Sequence, residues 1–274
     1  MNEYNTLQQS NILEDRENSL PAIFSKRFDI IIPAYNEEKR IRPVLDDICH
    51  FISKNQLPWK VVVAIDGNDG TIDIVKEFSS RYSFISYLAS NGRGGKGAAI
   101  RRSAFMISSN YVILIDADNS IRFDQIVERI PLMEKYNVVI LSRYNDTNEI
   151  PALRRIISRA FNFLVRTMTG LNVSDTQSGY KIFRSKEFLE ALRKVGATNT
   201  FYDISLLYHL QESGNVIHEI DTPYIHDEGS KFNPFAEVIG QGVSLFAFVV
   251  RHSRFYPYVP EFLIDLYKRK FKWI

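Results

Sequence analysis

Two carboxylates two residues apart, Asp116 and Asp118, leave the apolar run Tyr111–Ile115 with only Ala117 between them. In an extended backbone both project to the same side, and such a pair suits a hard divalent cation that also grips a diphosphate. The competing use is capping of a helix near Phe123, which Asn119 or Ser120 could serve instead. Gly92-Arg93-Gly94-Gly95-Lys96-Gly97 fits G-x-G-x-x-G between a strand-like and a helix-like run, with an acid about 20 positions on. This keeps a dinucleotide site open. Against it, the loop follows the third strand rather than the first, and the distant acid belongs to the carboxylate pair. Arg93 and Lys96 suit a pyrophosphate from any nucleotide, while Gly97-Ala98 stands where a phosphate-binding Walker loop needs Lys followed by Ser or Thr.

These groups need a scaffold, and the spacing of apolar residues predicts one. Phe28–Ile32, Val61–Ile65, Phe84–Ala89, Tyr111–Ile115 and Val138–Leu141 read as strands. Between them, Glu37–Lys54, a segment marked by Ile72, Val75 and Phe78, a segment from about Ala98, and Phe123–Lys135 read as helices. The alternation predicts a mostly parallel α/β sheet flanked by helices. Ligands of such sheets sit beyond the carboxyl ends of the strands. Those ends carry Tyr35-Asn36-Glu37, Asp66-Gly67-Asn68-Asp69, Gly92–Gly97, Asp116-Ala117-Asp118 and Ser142-Arg143-Tyr144. Asn, Asp and Gly are ordinary loop residues, but polar groups at five successive strand ends point to one site.

The 274 residues include 45% hydrophobic side chains, enough for a substantial core, and a net charge of only +2. Bulk nucleic-acid binding usually comes with a stronger basic excess, so nucleic acid is not an expected partner. The single cysteine, Cys49, excludes an internal disulfide and a Cys-rich metal site. Positive charge is instead local. Leu153, Ile156, Ile157, Ala160, Phe161, Leu164, Val165 and Met168 form one helical stripe, with Arg154, Arg155, Arg159 and Arg166 off it and no acid in the segment. Toward the C-terminus, Val259, Phe262, Leu263, Leu266, Tyr267 and Phe271 share a face that ends in Lys268, Arg269, Lys270 and Lys272. Basic amphipathic helices suit a lipid interface, with core or subunit packing as the alternative. The longest uncharged apolar stretch, Val238–Val250, is shorter than the roughly 20 residues a spanning helix needs, and residues 1–27 have no apolar segment of a secretory signal.

Ile32-Pro33-Ala34-Tyr35-Asn36-Glu37-Glu38, the Asp66 loop, Gly95-Lys96-Gly97 and Asp116-Ala117-Asp118 together resemble the inverting nucleotide-sugar glycosyltransferases of family 2. Asp175-Thr176-Gln177-Ser178-Gly179-Tyr180-Lys181, with Ser142-Arg143-Tyr144 and Gly229-Ser230-Lys231, is similar to the polyprenyl-phosphate branch of that family, nearest its dolichyl-phosphate glucosyltransferase side. The likeness runs from about Phe28 to Lys231. It departs from the family at the second-strand loop, where Asp66 is followed by Gly67 rather than by a second acid. The resemblance implies a GT-A fold. It implies that Pro33, Tyr35, Glu37 and Asp66 hold the base and ribose, that Lys96 lines the nucleotide pocket, and that Asp116 and Asp118 bind donor and Mg²⁺ or Mn²⁺. It further implies that Arg143, Arg154 and Ser158 receive the acceptor phosphate, and that Ser230 and Lys231 close over the donor diphosphate. Asp175 would position the acceptor or act as a modest base, ahead of Asp203 in Phe201-Tyr202-Asp203; both could also be cap or turn residues.

The expectation is a metal-assisted transfer of a sugar, glucose or N-acetylglucosamine before mannose, from a nucleoside-diphosphate sugar to dolichyl or polyprenyl phosphate. The alternatives are a glycan hydroxyl as acceptor, an NAD(P)-dependent oxidoreductase using Gly92–Gly97, and a non-catalytic nucleotide-sugar sensor. The expected organisation is a polar leader over 1–26, a catalytic domain over 27–233 and amphipathic interface helices over 234–274. The chain would lie peripherally on the cytoplasmic face of a membrane.

Overall fold

The structure, a computed structural model, describes residues 20–144, 152–197, 199–225, 234–254, 256–262 and 264, with backbone alone for 152–154 and 234–239. Ser230, Lys231, positions 1–19 of the leader and most of the basic C-terminal stretch lie outside the described residues.

Strands β1 (Phe28–Tyr35), β2 (Lys60–Asp66), β3 (Ile85–Ser90), β4 (Tyr111–Leu114), β5 (Val138–Ser142), β6 (Lys181–Arg184) and β7 (Ile217–Asp221) form one sheet in the order β3-β2-β1-β4-β6-β5-β7. Every pairing is parallel except the two made by β6, which runs antiparallel to β4 and β5. The central strands are apolar on both faces, as a sheet covered on two sides requires. Alternate residues divide between two cores. Ile30, Ile32, Ile113, Val139, Leu141 and Ile182 enter one. Ile31, Val112, Leu114, Val138, Ile140 and Phe183 enter the other. Helices α1 (Ile41–Lys54) and α2 (Thr71–Arg81) and the short α4 (Phe123–Val127) cover the first face. Helices α3 (Lys96–Ser103), α5 (Ala152–Thr169), α6 (Ser185–Lys194), α7 (Tyr202–Glu212) and α8 (Pro234–Arg251) cover the second.

Two features of this sheet make the cleft. β1 pairs with β4 only from Phe28 to Ile31, whereas its pairing with β2 continues to Tyr35 opposite Asp66. Pro33, which has no N–H to give, sits on the stretch that β4 has already left. The sheet order reverses between β1 and β4, so the crevice opens where ligands of such sheets bind. β6 then brings its beginning, not its end, to the same edge, and with it the loop 175–180.

Several elements differ from the sequence reading. Phe123–Lys135 is not one helix: α4 stops at Val127 and a 3-10 turn, Ile130–Glu134, follows with Pro131 in its first turn. Pro131 lacks the N–H that would continue the α-helical ladder. Residues 37–40 form a turn closed by Arg40 N–H donating to Glu37 C=O, so α1 begins at Ile41. Asp116 and Asp118 do not lie on an extended strand. β4 ends at Leu114, and Asn119 adopts φ 55°, so the two acids stand on a turn. Ile23 and Phe24, counted with the leader, are buried in the first core, and the Trp59 indole N–H reaches the carbonyls of Phe24 and Lys26. The apolar stripe of α5 divides in two. Phe161 and Val165 are buried, while Ile156 and Leu164 are 64% and 45% exposed; Phe163, off the stripe, is 70% exposed. Leu245 and Phe248 of α8 are buried beside them in the second core. Among the described residues no helix is long and apolar enough to cross a membrane.

Candidate active site

The ends of β1, β2 and β3 are tied into one wall. Asn36 Oδ1 accepts from Asn68 N–H at 3.1 Å, and the Asp69 carboxylate accepts from Glu38 N–H at 3.1 Å and from the Thr71 N–H and hydroxyl at 3.0 and 2.5 Å. Thr71 Oγ1 in turn accepts from Glu37 N–H at 2.8 Å. Asp66, 2% exposed, gives one carboxylate oxygen to Gly94 N–H at 2.8 Å and the other to Arg102. It thereby anchors the glycine loop against β2. Tyr35 is 42% exposed, and the Arg93 guanidinium lies 4.7 Å from its ring centre. Tyr35, Asp66 and Arg93 thus gather at the carboxyl ends of β1, β2 and β3, where Tyr35 pairs with Asp66 and Pro33 with Ala64.

Gly95 adopts φ 92°, a conformation open to glycine, and turns the chain into α3 with Lys96 as its first residue. The Lys96 ammonium contacts Asp116 at 2.9 Å and Asp203 at 3.1 Å. Burial pulls the Lys96 pKa down, but Asp116 and Asp203 outweigh it and hold the amine firmly protonated. Asp116 is likewise pushed up by burial and pulled further down by Lys96, with Lys181 and Arg143 adding to the effect, so it stays ionised. Gly179 packs against the Asp116 carboxylate so closely that a Cβ would overlap it. Asp118 accepts from the Tyr180 hydroxyl at 2.8 Å and from Ser120 N–H at 3.0 Å. The start of β6 therefore holds both acids of the Asp116 turn. Burial, opposed by Arg40 and reinforced by Asp118 and Asp116, raises the Glu37 pKa. Among the described residues no three His, Cys, Asp or Glu side chains form a ready-made metal cage.

On the far side of β5 the Asp175 carboxylate, fully buried, accepts from Arg143 at its backbone N–H (3.0 Å), Nε (2.8 Å) and Nη2 (2.7 Å). Burial alone would raise its pKa; Arg143 overcomes this and holds it below the usual carboxylate range. Ser158 Oγ lies 2.6 Å from the Tyr144 hydroxyl, which also accepts from Asn162 Nδ2 at 2.6 Å. Asn162 Oδ1 accepts from the Thr176 N–H and hydroxyl at 2.9 and 2.5 Å. α5 is thereby fastened to the 175–180 loop. Arg154 lies in the first turn of α5 by backbone position, and its side chain lies outside the described residues. Asp203 sits in the first turn of α7 but caps nothing: its oxygens go to Lys181 at 2.7 Å and to Lys96.

Sequence reasoning missed Glu219. Its two oxygens accept from the backbone N–H groups of Ser174 and Asp175, both at 2.7 Å. It lies on β7, an edge strand whose first four residues are all half-buried, and no local pattern marks it. Glu219→Gln replaces one acceptor by an amide and is expected to destabilise the fold by about 1 kcal/mol. It should also lower turnover by letting the Asp175–Arg143 pair shift. A variant with unaltered melting temperature and rate would remove Glu219 from the site.

The residues from Asp29 in β1 to Ala191 in α6, which include the Asp116 turn, Arg143 and Asp175, match the family model described as Glycosyl transferase family 2, over residues 29–191. The chain belongs to that family. This glycosyltransferase is 25% identical over 245 residues to the dolichyl-phosphate beta-glucosyltransferase of Dictyostelium discoideum, covering 83% of this chain and 74% of the relative. It is 26% identical over 260 residues to the Homo sapiens protein of the same name, covering 86% and 80%. Among solved structures, Mycobacterium tuberculosis glucosyl-3-phosphoglycerate synthase in complex with Mn²⁺, UDP and phosphoglyceric acid superposes with a TM-score of 0.62 at 18% identity, over 82% of this chain and 78% of that one. This likeness is one of fold, and it agrees with the expected GT-A architecture. Family membership displaces the oxidoreductase reading: the glycine loop after β3 serves a glycosyltransferase.

Proposed function

We propose that this glycosyltransferase moves glucose from a nucleoside-diphosphate sugar to dolichyl phosphate, with inversion at the anomeric carbon. The observation that carries the reading is the meeting of the Asp116–Asp118 turn with the loop 175–180 and Arg143 at one edge of the sheet. Relatives named for that activity support the sugar and the lipid.

The donor would lie along the β1–β2–β3 wall with its diphosphate toward Lys96 and Asp116. The carboxylate oxygens of Asp116 and Asp118 fit a hard cation such as Mg²⁺ or Mn²⁺, provided the diphosphate completes the ligand set. When bound, the cation offsets charge on the leaving diphosphate. Lys96 adds a fixed positive charge there at no cost of reorganisation. In the transfer, an acceptor phosphate oxygen forms the new bond to the anomeric carbon as the bond to the nucleoside diphosphate breaks, and that electron pair leaves with the diphosphate. A phosphate monoester has a second pKa of about 6 and is already mostly dianionic at neutral pH. No proton need be removed. This matches the site, because neither candidate base is free: Asp175 is engaged by three donors of Arg143, and Asp203 is locked between Lys181 and Lys96. The same observation disfavours a glycan hydroxyl as acceptor, which would need a base. Arg143 and Asp175 then act as a unit that orients the incoming phosphate, with Arg154 and Ser158 on α5.

Incubating the protein with UDP-glucose, UDP-N-acetylglucosamine and GDP-mannose in turn, with dolichyl phosphate and Mg²⁺, tests the reading by product mass. Glucosyl lipid is expected from UDP-glucose; transfer to a glycan but not to the lipid would overturn it.

A lipid acceptor keeps its phosphate at a bilayer surface, so the site must come to that surface. On α5, Ile156, Phe163 and Leu164 face outward beside exposed Arg159 and Arg166, and Phe246, Tyr258 and Phe262 add exposed aromatics. Such a face suits the headgroup boundary, each cation adding about 1 kcal/mol on an anionic membrane. The protein is expected to float with anionic liposomes at low salt, and Ile156→Glu/Phe163→Glu to remain behind. Equal flotation of both would locate the attachment elsewhere.

A further inference from the structure

Lys181 opens β6 between β4 and β5, and its side chain is wholly buried. Lysine almost never occupies such a position without a partner, and burying an ion pair costs more than an apolar pair of similar size would. The ammonium donates to the Ser178 carbonyl and to Asp203 Oδ1. The other oxygen of Asp203 meets Lys96, and Lys96 meets Asp116. Four charges of alternating sign thus run from the core to the cleft, carried by β6, α7, α3 and the turn after β4.

Within this chain Lys96 faces two carboxylates. Alone, they would more than cancel its charge. Lys181 takes up one of them, leaving Lys96 and Asp116 balanced at the cleft edge. It also pins the Ser178 carbonyl, and so the Gly179 backbone against which Asp116 rests. We propose that Lys181 is a positioning residue: through Asp203 it sets the charge and place of Lys96 beside Asp116, and so governs binding of a nucleoside diphosphate with its divalent cation. On this assignment Asp203 is a tether and not a base. The proposal rests on the nucleotide reading given above.

A charge-balance role makes a demand that simple packing does not. Lys181→Met leaves two carboxylates on Lys96 and should weaken UDP binding in the presence of Mn²⁺ by about tenfold. Adding Asp203→Asn removes the surplus carboxylate, so the double variant should bind UDP and Mn²⁺ better than the single, within about threefold of wild type. The measurement is titration calorimetry of the full chain with UDP and Mn²⁺, without acceptor, each variant first checked for a cooperative thermal transition. Should Lys181→Met not fold, Lys181→Gln, which can still donate to the Ser178 carbonyl, is read in its place. Wild-type affinity in the single variant, or a double variant no better than the single, overturns the proposal and leaves the nucleotide reading standing. A wild-type protein that binds neither UDP nor GDP with Mn²⁺ overturns both.

Discussion

Asp175→Ala is expected to abolish sugar transfer and to lower the unfolding free energy by about 3 kcal/mol, the cost of breaking a buried ion pair from one side. The substitution takes away the acceptor of three Arg143 donors, in a place where the Arg143 side chain is only 24% exposed. Asp175→Asn keeps the shape and one acceptor oxygen and should lose less stability. The pH dependence has a definite sign. The folded carboxylate is held below its ordinary pKa, so its contribution is complete above the unfolded value of about 4. It is lost as pH falls through the folded value. Urea unfolding from pH 7 down to pH 3 should therefore give a steeper acid loss for the wild type than for Asp175→Asn. Parallel curves would mean that the pair adds no net stability.

Asp118→Ala is expected to cut turnover roughly a hundredfold or more, the scale on which removing one charge-stabilising group acts, and the wild type should be silent in excess EDTA. The turn after β4 offers two carboxylates, and Asp116 is already engaged by Lys96. Asp118 accepts from Tyr180 and Ser120 on one and the same oxygen, which leaves the other to face a cation. Part of the loss could come from the broken Tyr180 bond, so Tyr180→Phe is the control. It removes the same hydrogen bond, keeps the carboxylate, and should retain most of the activity. Full turnover in EDTA would sink the metal role outright; equal losses in the two variants would make Asp118 a support for Tyr180 rather than a ligand.

The half of the molecule built from long apolar runs was legible in the sequence. β1, β2, β4 and β5 are runs rich in Ile, Val and Leu, while β3, Ile85–Ser90, is weaker; parallel direction puts the polar ends of all five on one edge. β6 was hidden because a four-residue strand opening with lysine has no strand signature, and that lysine makes sense only against Asp203, 22 residues away. β7, half-buried along Ile217–Ile220, gives a similarly weak pattern. Glu219 escaped for the same reason: its work is done on backbone N–H groups 44 and 45 positions back. Periodicity found the α5 stripe but could not tell which part turns inward, since Phe161 and Leu164 lie on it together and end 6% and 45% exposed.

The reversed direction of β6 also sets the order in which the molecule can be assembled. β1 to β4 pair through successive crossovers, so that half can gather early. The Tyr180–Asp118 bond closes a loop spanning 62 residues, and β6 can take its place only once β5 is available on its other side. Contacts of long sequence separation form slowly, because the chain loses loop entropy before they repay it. Both acids of the Asp116 turn, Lys96 and the 175–180 loop depend on that one strand. A partly folded chain can therefore hold most of the β1–β2–β3 wall and still lack the proposed site. Competence arrives in a single step, with the insertion of the strand that runs against the others.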